Sequence, residues 1–309
     1  MSETGQVSLR WRLAGWLRTL PEFRGRDRLG SLILDGAVPP AGETRCVIGH
    51  GLVFDARMSE DGSWIDVFFL QYEPPSLAPV LQAFLARGST FVDVGANVGV
   101  YTGWASRLVG ETGRVIAFEP LPATRDNLQR VVAGNALGNV RVVPKALGAA
   151  PGVVRLWAVP HASGLTSAVP PADPAAATPL DVSMSTLDDE LAAAGAPAVA
   201  LVKIDVEGYE MAVLEGAVRT LASPHAPAVL FETQQDHLAR SGVRFADIPA
   251  WFEDRFGFRL FALLPSGLQP IPKGTPEPPA TNTLALDPSR HGEQLGRLRR
   301  LRFRRNQTC

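Results

Sequence analysis

Phe91-Val92-Asp93-Val94-Gly95-Ala96-Asn97-Val98-Gly99 runs an apolar strand into an acid and two glycines before an amphipathic segment begins. Gly95 and Gly99 allow a sharp turn and close approach of a ligand to the backbone, and Asn97 tolerates left-handed geometry. A strand, a glycine turn and a helix in this order open a doubly wound α/β sheet, whose ligands sit beyond the carboxyl ends of the strands. The glycine spacing is not the Gly-x-Gly-x-x-Gly of a dinucleotide fingerprint. Asp93 adds a second argument. A pyrophosphate cradle needs backbone N–H groups and no nearby carboxylate, whereas an acid at the strand end suits a cationic amino-acid group.

The next strand, Arg114 to Phe118, ends in Glu119, at the distance where an acid accepts hydrogen bonds from ribose hydroxyls. A ribose without a bound pyrophosphate fits S-adenosylmethionine, a nucleoside carrying a sulfonium and an amino acid. Further along, Ala200-Leu-Val-Lys-Ile-Asp-Val-Glu-Gly-Tyr-Glu210 is another apolar strand ending in ionisable residues. Lys203 lies inside that strand, where an unpaired ammonium is expensive, so a partner carboxylate is expected.

Val92 to Gly99, Phe118-Glu119-Pro120 and Lys203-Ile-Asp-Val-Glu-Gly-Tyr-Glu210 together resemble the FkbM family of S-adenosylmethionine-dependent methyltransferases. Shorter matches agree: Tyr72-Glu73-Pro74, Ala146-Leu147-Gly148, Thr186-Leu187-Asp188 and Phe231-Glu232. The resemblance spans roughly residues 70 to 287. It implies a Rossmann-like class I methyltransferase with a seven-stranded sheet and a terminal antiparallel hairpin, and methyl transfer to a hydroxyl. Glu73, Asp93, Gly95, Ala96, Asn97, Gly99, Glu119, Ala146 and Asp205 are the expected cofactor-binding residues.

Composition agrees with one enzyme-sized domain plus appendages: 309 residues, 46% of them hydrophobic. A net charge of -1 supplies no global basic field, so no nucleic-acid partner is expected. Cys46 and Cys309 are the only cysteines, which argues against a disulfide framework or structural zinc. Neither a secretory signal pattern nor a stretch of membrane-spanning length is read, and the expected location is cytoplasmic.

Three parts are expected: an N-terminal α+β extension over 1–88, a methyltransferase domain over 89–287, and a basic tail over 288–309. In the first, Leu9, Leu13, Trp16, Leu17 and Leu20 share a helical face flanked by Arg10, Arg12 and Arg18. A helix packing on the catalytic domain or on a second copy is preferred to membrane-surface contact. Trp64 to Leu70 reads as a strand and Ser76 to Arg87 as a helix. Between 89 and 287, strands are expected near 90–94, 114–118, 140–143, 199–204, 227–232, 258–263 and 281–286. Helices are expected near 98–109, 121–133, 186–194, 208–222 and 245–256, giving a doubly wound, seven-stranded, mostly parallel sheet. The Gly/Pro-rich stretch Pro265 to Pro279 shows no helical pattern, so the strands on either side should pair antiparallel. Residues 159 to 179, rich in Pro and Ala, read either as a lid over the substrate or as a disordered insertion. The tail carries Arg297, Arg299, Arg300, Arg302, Arg304 and Arg305 among Leu295, Leu298 and Leu301 and reads as a solvated terminus.

Transfer of a methyl group from a sulfonium depends on positioning. A hydroxyl acceptor further requires a base or a metal that lowers its pKa. Asp205, Glu232 and His237 are the expected catalytic residues, with Glu207 beside them and His161 on the insertion as a weaker candidate. Asp205 and Glu232, at neighbouring strand ends, could hold a cation such as Mg2+, or Asp205 could instead hold the methionine amino group. Glu207 could equally be only a first-turn helix carboxylate, and His237 a surface residue. The expected acceptor is a small molecule or glycan, specifically a sugar, glycolipid or secondary metabolite, and self-association is expected through the N-terminal region. Two other readings stay open. An NAD-dependent oxidoreductase lacks its fingerprint here, and a non-catalytic S-adenosylmethionine-binding subunit would need no acceptor site.

Overall fold

The computed structural model describes residues 9–10, 12–17, 29–30, 32–33, 45–48, 51–55, 77–158, 166–171, 173 and 177–300. Glu73, His161, the stretch Trp64 to Leu70 read as a strand, Leu20 and the tail beyond residue 300 lie outside them.

A short hairpin, β1 (Arg45–Ile48) and β2 (Leu52–Asp55), precedes helix α1 (Ala78–Phe84). Then strands and helices alternate: β3 (Thr90–Val94), α2 (Val100–Val109), β4 (Arg114–Phe118), α3 (Pro122–Gly134) and β5 (Val140–Val143). A small three-stranded sheet follows, made of β6 (Ala146–Leu147), β7 (Gly152–Ala158) and β8 (Thr178–Ser185). Alternation resumes with α4 (Leu187–Ala193), β9 (Val199–Ile204), α5 (Glu210–Glu215), α6 (Val218–Leu221), β10 (Ala228–Glu232), α7 (Gln235–Arg240) and α8 (Ile248–Phe256). The remaining elements are β11 (Arg259–Leu264), β12 (Gly267–Ile271), β13 (Asn282–Leu286) and α9 (Gly292–Leu298).

The main sheet runs β12-β11-β13-β10-β9-β3-β4-β5. Strands β10, β9, β3, β4 and β5 are parallel, and β13 enters antiparallel between β10 and β11. The expected seven strands become eight. β12 forms inside the stretch read as a bare connection, where Pro270, which has no N–H to donate, is tolerated because the strand lies at the sheet edge.

Alternate side chains of the strands bury on opposite faces, which is why the sheet needs helices on both sides. Phe91, Val115, Leu201 and Leu230 join one core with Trp104, while Val92, Val94, Ile116, Val202 and Phe231 join the other with Phe252. The order reverses between β3 and β9, opening the crevice where such sheets bind ligands.

Outside this frame the outcome is mixed. Asn135 at the end of α3 ties β2 down, its Oδ1 accepting from Val53 N at 2.7 Å and its Nδ2 donating to Val53 O at 2.8 Å. The N-terminal helical stretch buries Ala14 and Leu17, whereas Leu9, Leu13 and Trp16 are exposed, so of the expected stripe only Leu17 is buried among the described residues. At the other end, α9 buries Leu295 and Leu298 and packs against α1, so this part of the tail is docked and not solvated. Among the described residues no helix is long and apolar enough to cross a membrane.

Candidate functional site

The first glycine turn and the loop after β9 meet at the reversal point. Gly95 has φ of +76°, and a Cβ on it would come 1.9 Å from the carbonyl oxygen of Asp205, so only glycine lets the two loops touch. Asp205 N also donates to Val94 O at 3.0 Å. Asn97 adopts φ of +48°, the left-handed geometry expected of it.

The amides of the turn are already in use. Gly95 N and Ala96 N both donate to Phe118 O, Gly99 N donates to Ala96 O, and Asn97 N donates to Glu119 Oε2 at 3.0 Å. Leu121 N donates to the other Glu119 oxygen, also at 3.0 Å. Glu119 is thereby fixed at the end of β4, and burial raises its pKa to about 7 against the pull of those two N–H groups.

A cavity of about 240 Å³ opens over the ends of β3, β4 and β9. Gly95, Asn97, Glu119, Ala146 and Asp205, all expected at a cofactor site, line it. So do Lys145, Glu207 and Tyr209. The small sheet roofs it: Val154 and Leu156 of β7 reach it, as do Thr166 and Ala168 of the segment read as lid or insertion. Ser167 is bridged to Trp157, which anchors this part of that segment.

Asp93, Ala96 and Gly99 lie behind the lining. Asp93, expected at the cofactor, is fully buried and does not line the cavity. It accepts from Thr102 Oγ1 at 2.6 Å, and its Oδ1 is 3.6 Å from Lys203 Nζ. The same ammonium is 3.1 Å from Asp205 Oδ2 and 4.7 Å from the Tyr101 ring centre. Burial disfavours the Lys203 ammonium, but the two carboxylates outweigh it and hold its pKa above the ordinary lysine value. The expected partner of Lys203 is therefore Asp93, its cross-strand neighbour, together with Asp205.

Beside the cavity, Glu207, Glu232 and His237 converge. Glu207 Oε2 lies 3.2 Å and Glu232 Oε2 3.6 Å from His237 Nδ1. This differs from the expected Asp205–Glu232 cation pair. Asp205 turns to the lysine, while Glu207, held at φ of +55°, takes the place beside Glu232. Burial, then the charges of Glu232, Asp205 and Glu210, raise the Glu207 pKa to about 9. Glu210, to which the sequence assigned no role, is 2% exposed, and its Oε1 accepts from Val206 N and Gly208 N, both at 3.1 Å, so it holds the loop that carries Glu207. Its spacing from the motif acids was the available signal. Substituting Glu210→Ala should unlock this loop and lower the free energy of unfolding by about the 1–3 kcal/mol of stranded buried donors, measurable by urea unfolding.

The site is thus a cavity over the strand ends of a doubly wound sheet, with Glu119 at its edge and the amides of Gly95, Ala96, Asn97 and Gly99 bonded within the protein. The chain belongs to the FkbM methyltransferase family, whose domain model matches residues 93–260. It is 30% identical over 162 residues to the methyltransferase sdnD of Sordaria araneosa, a match covering 43% of this chain and 62% of that protein. The methyltransferase FkbM of Methylobacillus flagellatus superposes with a TM-score of 0.43 at 17% identity, over 75% of this chain and 56% of that one. A SAM-dependent methyltransferase of Aquifex aeolicus gives 0.35 at 16% identity, over 69% and 91%. The chain thus spans less than two thirds of the length of sdnD and of the Methylobacillus protein.

Proposed function

We propose that the protein is an S-adenosylmethionine-dependent methyltransferase acting on a hydroxyl of a sugar, glycolipid or secondary metabolite. The observation that carries the cofactor is the crevice turn: its amides are spent on Phe118 O, Ala96 O and the Glu119 carboxylate, which suits a ribose and leaves little for a pyrophosphate. This weighs against a dinucleotide and hence against an NAD-dependent oxidoreductase. When bound, S-adenosylmethionine supplies an electrophilic methyl group on a sulfonium.

Glu119 would accept the ribose hydroxyls, and Asp205, 38% exposed and facing the cavity, would hold the amino group. Apolar walls from Phe118, Leu147 and Leu156 would take the purine. Asp93 supports this arrangement from beneath through Lys203, and Ala96 and Gly99 shape the turn. Transfer breaks the methyl–sulfur bond and forms a methyl–oxygen bond, while the acceptor hydroxyl loses its proton. The cluster of Glu232, His237 and Glu207 next to Asp205 is where that proton would be made easier to lose.

Two expectations test this reading. Incubation with S-adenosylmethionine labelled in the methyl group and a panel of sugars and hydroxylated metabolites should give labelled ether product. S-adenosylhomocysteine release with no acceptor labelled at oxygen in any fraction would contradict it. The second uses pH. Glu119 holds its proton to about pH 7 in the folded protein against 4.5 unfolded, so its ionisation opposes folding, and stability should fall as pH rises through that window. Ribose hydroxyls donate best to the ionised carboxylate. Affinity for S-adenosylhomocysteine should therefore rise up to about tenfold from pH 6 to pH 8, one pKa unit being worth about 1.4 kcal/mol. Glu119→Gln should flatten the profile in calorimetric titration, and an unchanged slope in that variant would remove Glu119 from the ribose.

A further inference from the structure

Glu207, Glu232 and His237 come from three separate elements, yet each brings one ligating atom into the same small cluster. The three atoms lie within 4.8 Å of one another. Atoms bound about 2.1 Å from one ion at tetrahedral or octahedral angles stand about 3.0–3.4 Å apart. The observed 3.2 and 3.6 Å from His237 Nδ1 to the two carboxylates are close to this. His237 Nδ1 and Glu232 Oε2 are both buried without a hydrogen-bond partner, while the other Glu232 oxygen already accepts from Gln234 Nε2 at 2.7 Å. Buried polar atoms are ordinarily satisfied, and two that face each other and a third ligand ask for a common partner.

The surroundings hold the ligands in place independently. Ser167 Oγ donates to Glu207 O at 2.6 Å, and Glu210 holds the amides on either side. A Cβ on Gly208 would sit 3.1 Å from His237 O, so this glycine lets the histidine approach the loop. Lys203, the buried ammonium nearby, is engaged by Asp93 and Asp205 and does not neutralise the cluster.

We propose that Glu207, Glu232 and His237 form a site for one first-row divalent ion, with Mn2+ or Zn2+ favoured over Mg2+ by the imidazole ligand. Three protein ligands leave coordination positions open, and Glu207 also lines the cavity. Building on the methyltransferase reading, the open side would bind the acceptor hydroxyl oxygen and lower its pKa. In that role His237 is a ligand and not a base.

The test uses the full chain after chelator treatment, titrated with Mn2+ and followed by loss of the free-ion electron paramagnetic resonance signal. Zn2+ and Mg2+ serve as competitors. One ion per chain is expected, displaced by Zn2+ far more readily than by Mg2+. Glu232→Gln and His237→Phe should each weaken binding at least tenfold, whereas Asp181→Asn on the exposed face of the small sheet should leave it unchanged. Bound Mn2+ should show nitrogen coupling in the spin echo, absent in His237→Phe. Each variant is also titrated with S-adenosylhomocysteine, whose retained binding shows that the variant is folded. No Mn2+ binding by the parent chain, or binding indifferent to both substitutions, would overturn the site. If S-adenosylhomocysteine binds while Mn2+ does not, the cation site alone fails; if Mn2+ binds and S-adenosylhomocysteine does not, the cofactor reading fails.

Discussion

Replacing Lys203 by Met should destabilise the protein by about 3–5 kcal/mol, the usual result of removing one partner from a buried ion pair. The fully buried Asp93 would keep only Thr102 Oγ1 as a close partner, and Asp205 would lose the ammonium at 3.1 Å. Burial raises the Asp93 pKa even with the lysine present, so without it the carboxyl should protonate at higher pH still. Its folded pKa then stands further above the unfolded value of 3.8, and the loss of stability should grow as pH rises between them. Urea unfolding at pH 5 and pH 8 measures this. Asp93→Asn combined with Lys203→Met should recover much of the loss, because no charge is stranded. If the double substitution were no more stable than the single one, the Lys203–Asp93 contact would not be what holds this strand pair.

Gly95→Val should be nearly as severe, and for a different reason. The first added carbon would meet the Asp205 carbonyl oxygen at 1.9 Å, and the turn has φ of +76°, which a β-branched residue adopts at a penalty. Overpacking against backbone costs about 1–3 kcal/mol and the strained φ about 1–2 more. The loops after β3 and β9 must separate, so cofactor affinity should fall together with stability, at least tenfold in a titration with S-adenosylhomocysteine. Gly134→Ala serves as a comparison: it lies in α3 and its Cβ would meet nothing within 4 Å, so it should lower neither quantity. Equal effects of the two substitutions would remove the close approach as the cause.

The main sheet was legible because its strands are short apolar runs ending at charged or glycine residues, and Asp93, Glu119, Asp205 and Glu232 mark those ends. Elements exposed on one or both faces were not. β7 leaves Val153 70% exposed and β8 is mostly exposed, so neither carries the buried alternation that identifies a strand. β12 is hidden by Pro270 and its Gly/Pro surroundings. The helix expected over 208–222 breaks into α5 and α6 at Gly216, where a Cβ would lie 2.0 Å from Gly148 O, a close approach that no local pattern reveals.

Side-chain direction set the limit for the site. An acid at a strand end reads alike whether it faces a ligand or the layer below. For Asp93 the answer depends on Lys203, which comes into register only when β3 and β9 pair. Glu207 was weighed as a first-turn carboxylate, but its positive φ turns it toward His237 instead. Ser167, whose hydroxyl donates to Glu207 O, is likewise recognisable only once distant segments are brought together, whereas Glu210 bonds amides two and four residues before it and lay within local reach.

Calorimetric titration of the purified protein with S-adenosylmethionine, S-adenosylhomocysteine and NAD, each with and without Mn2+, tests the cofactor most directly. Saturable one-to-one binding of the first two and none of NAD is the expected result. Binding of NAD alone, or of none of the three with or without the ion, would contradict the assignment of the crevice to S-adenosylmethionine.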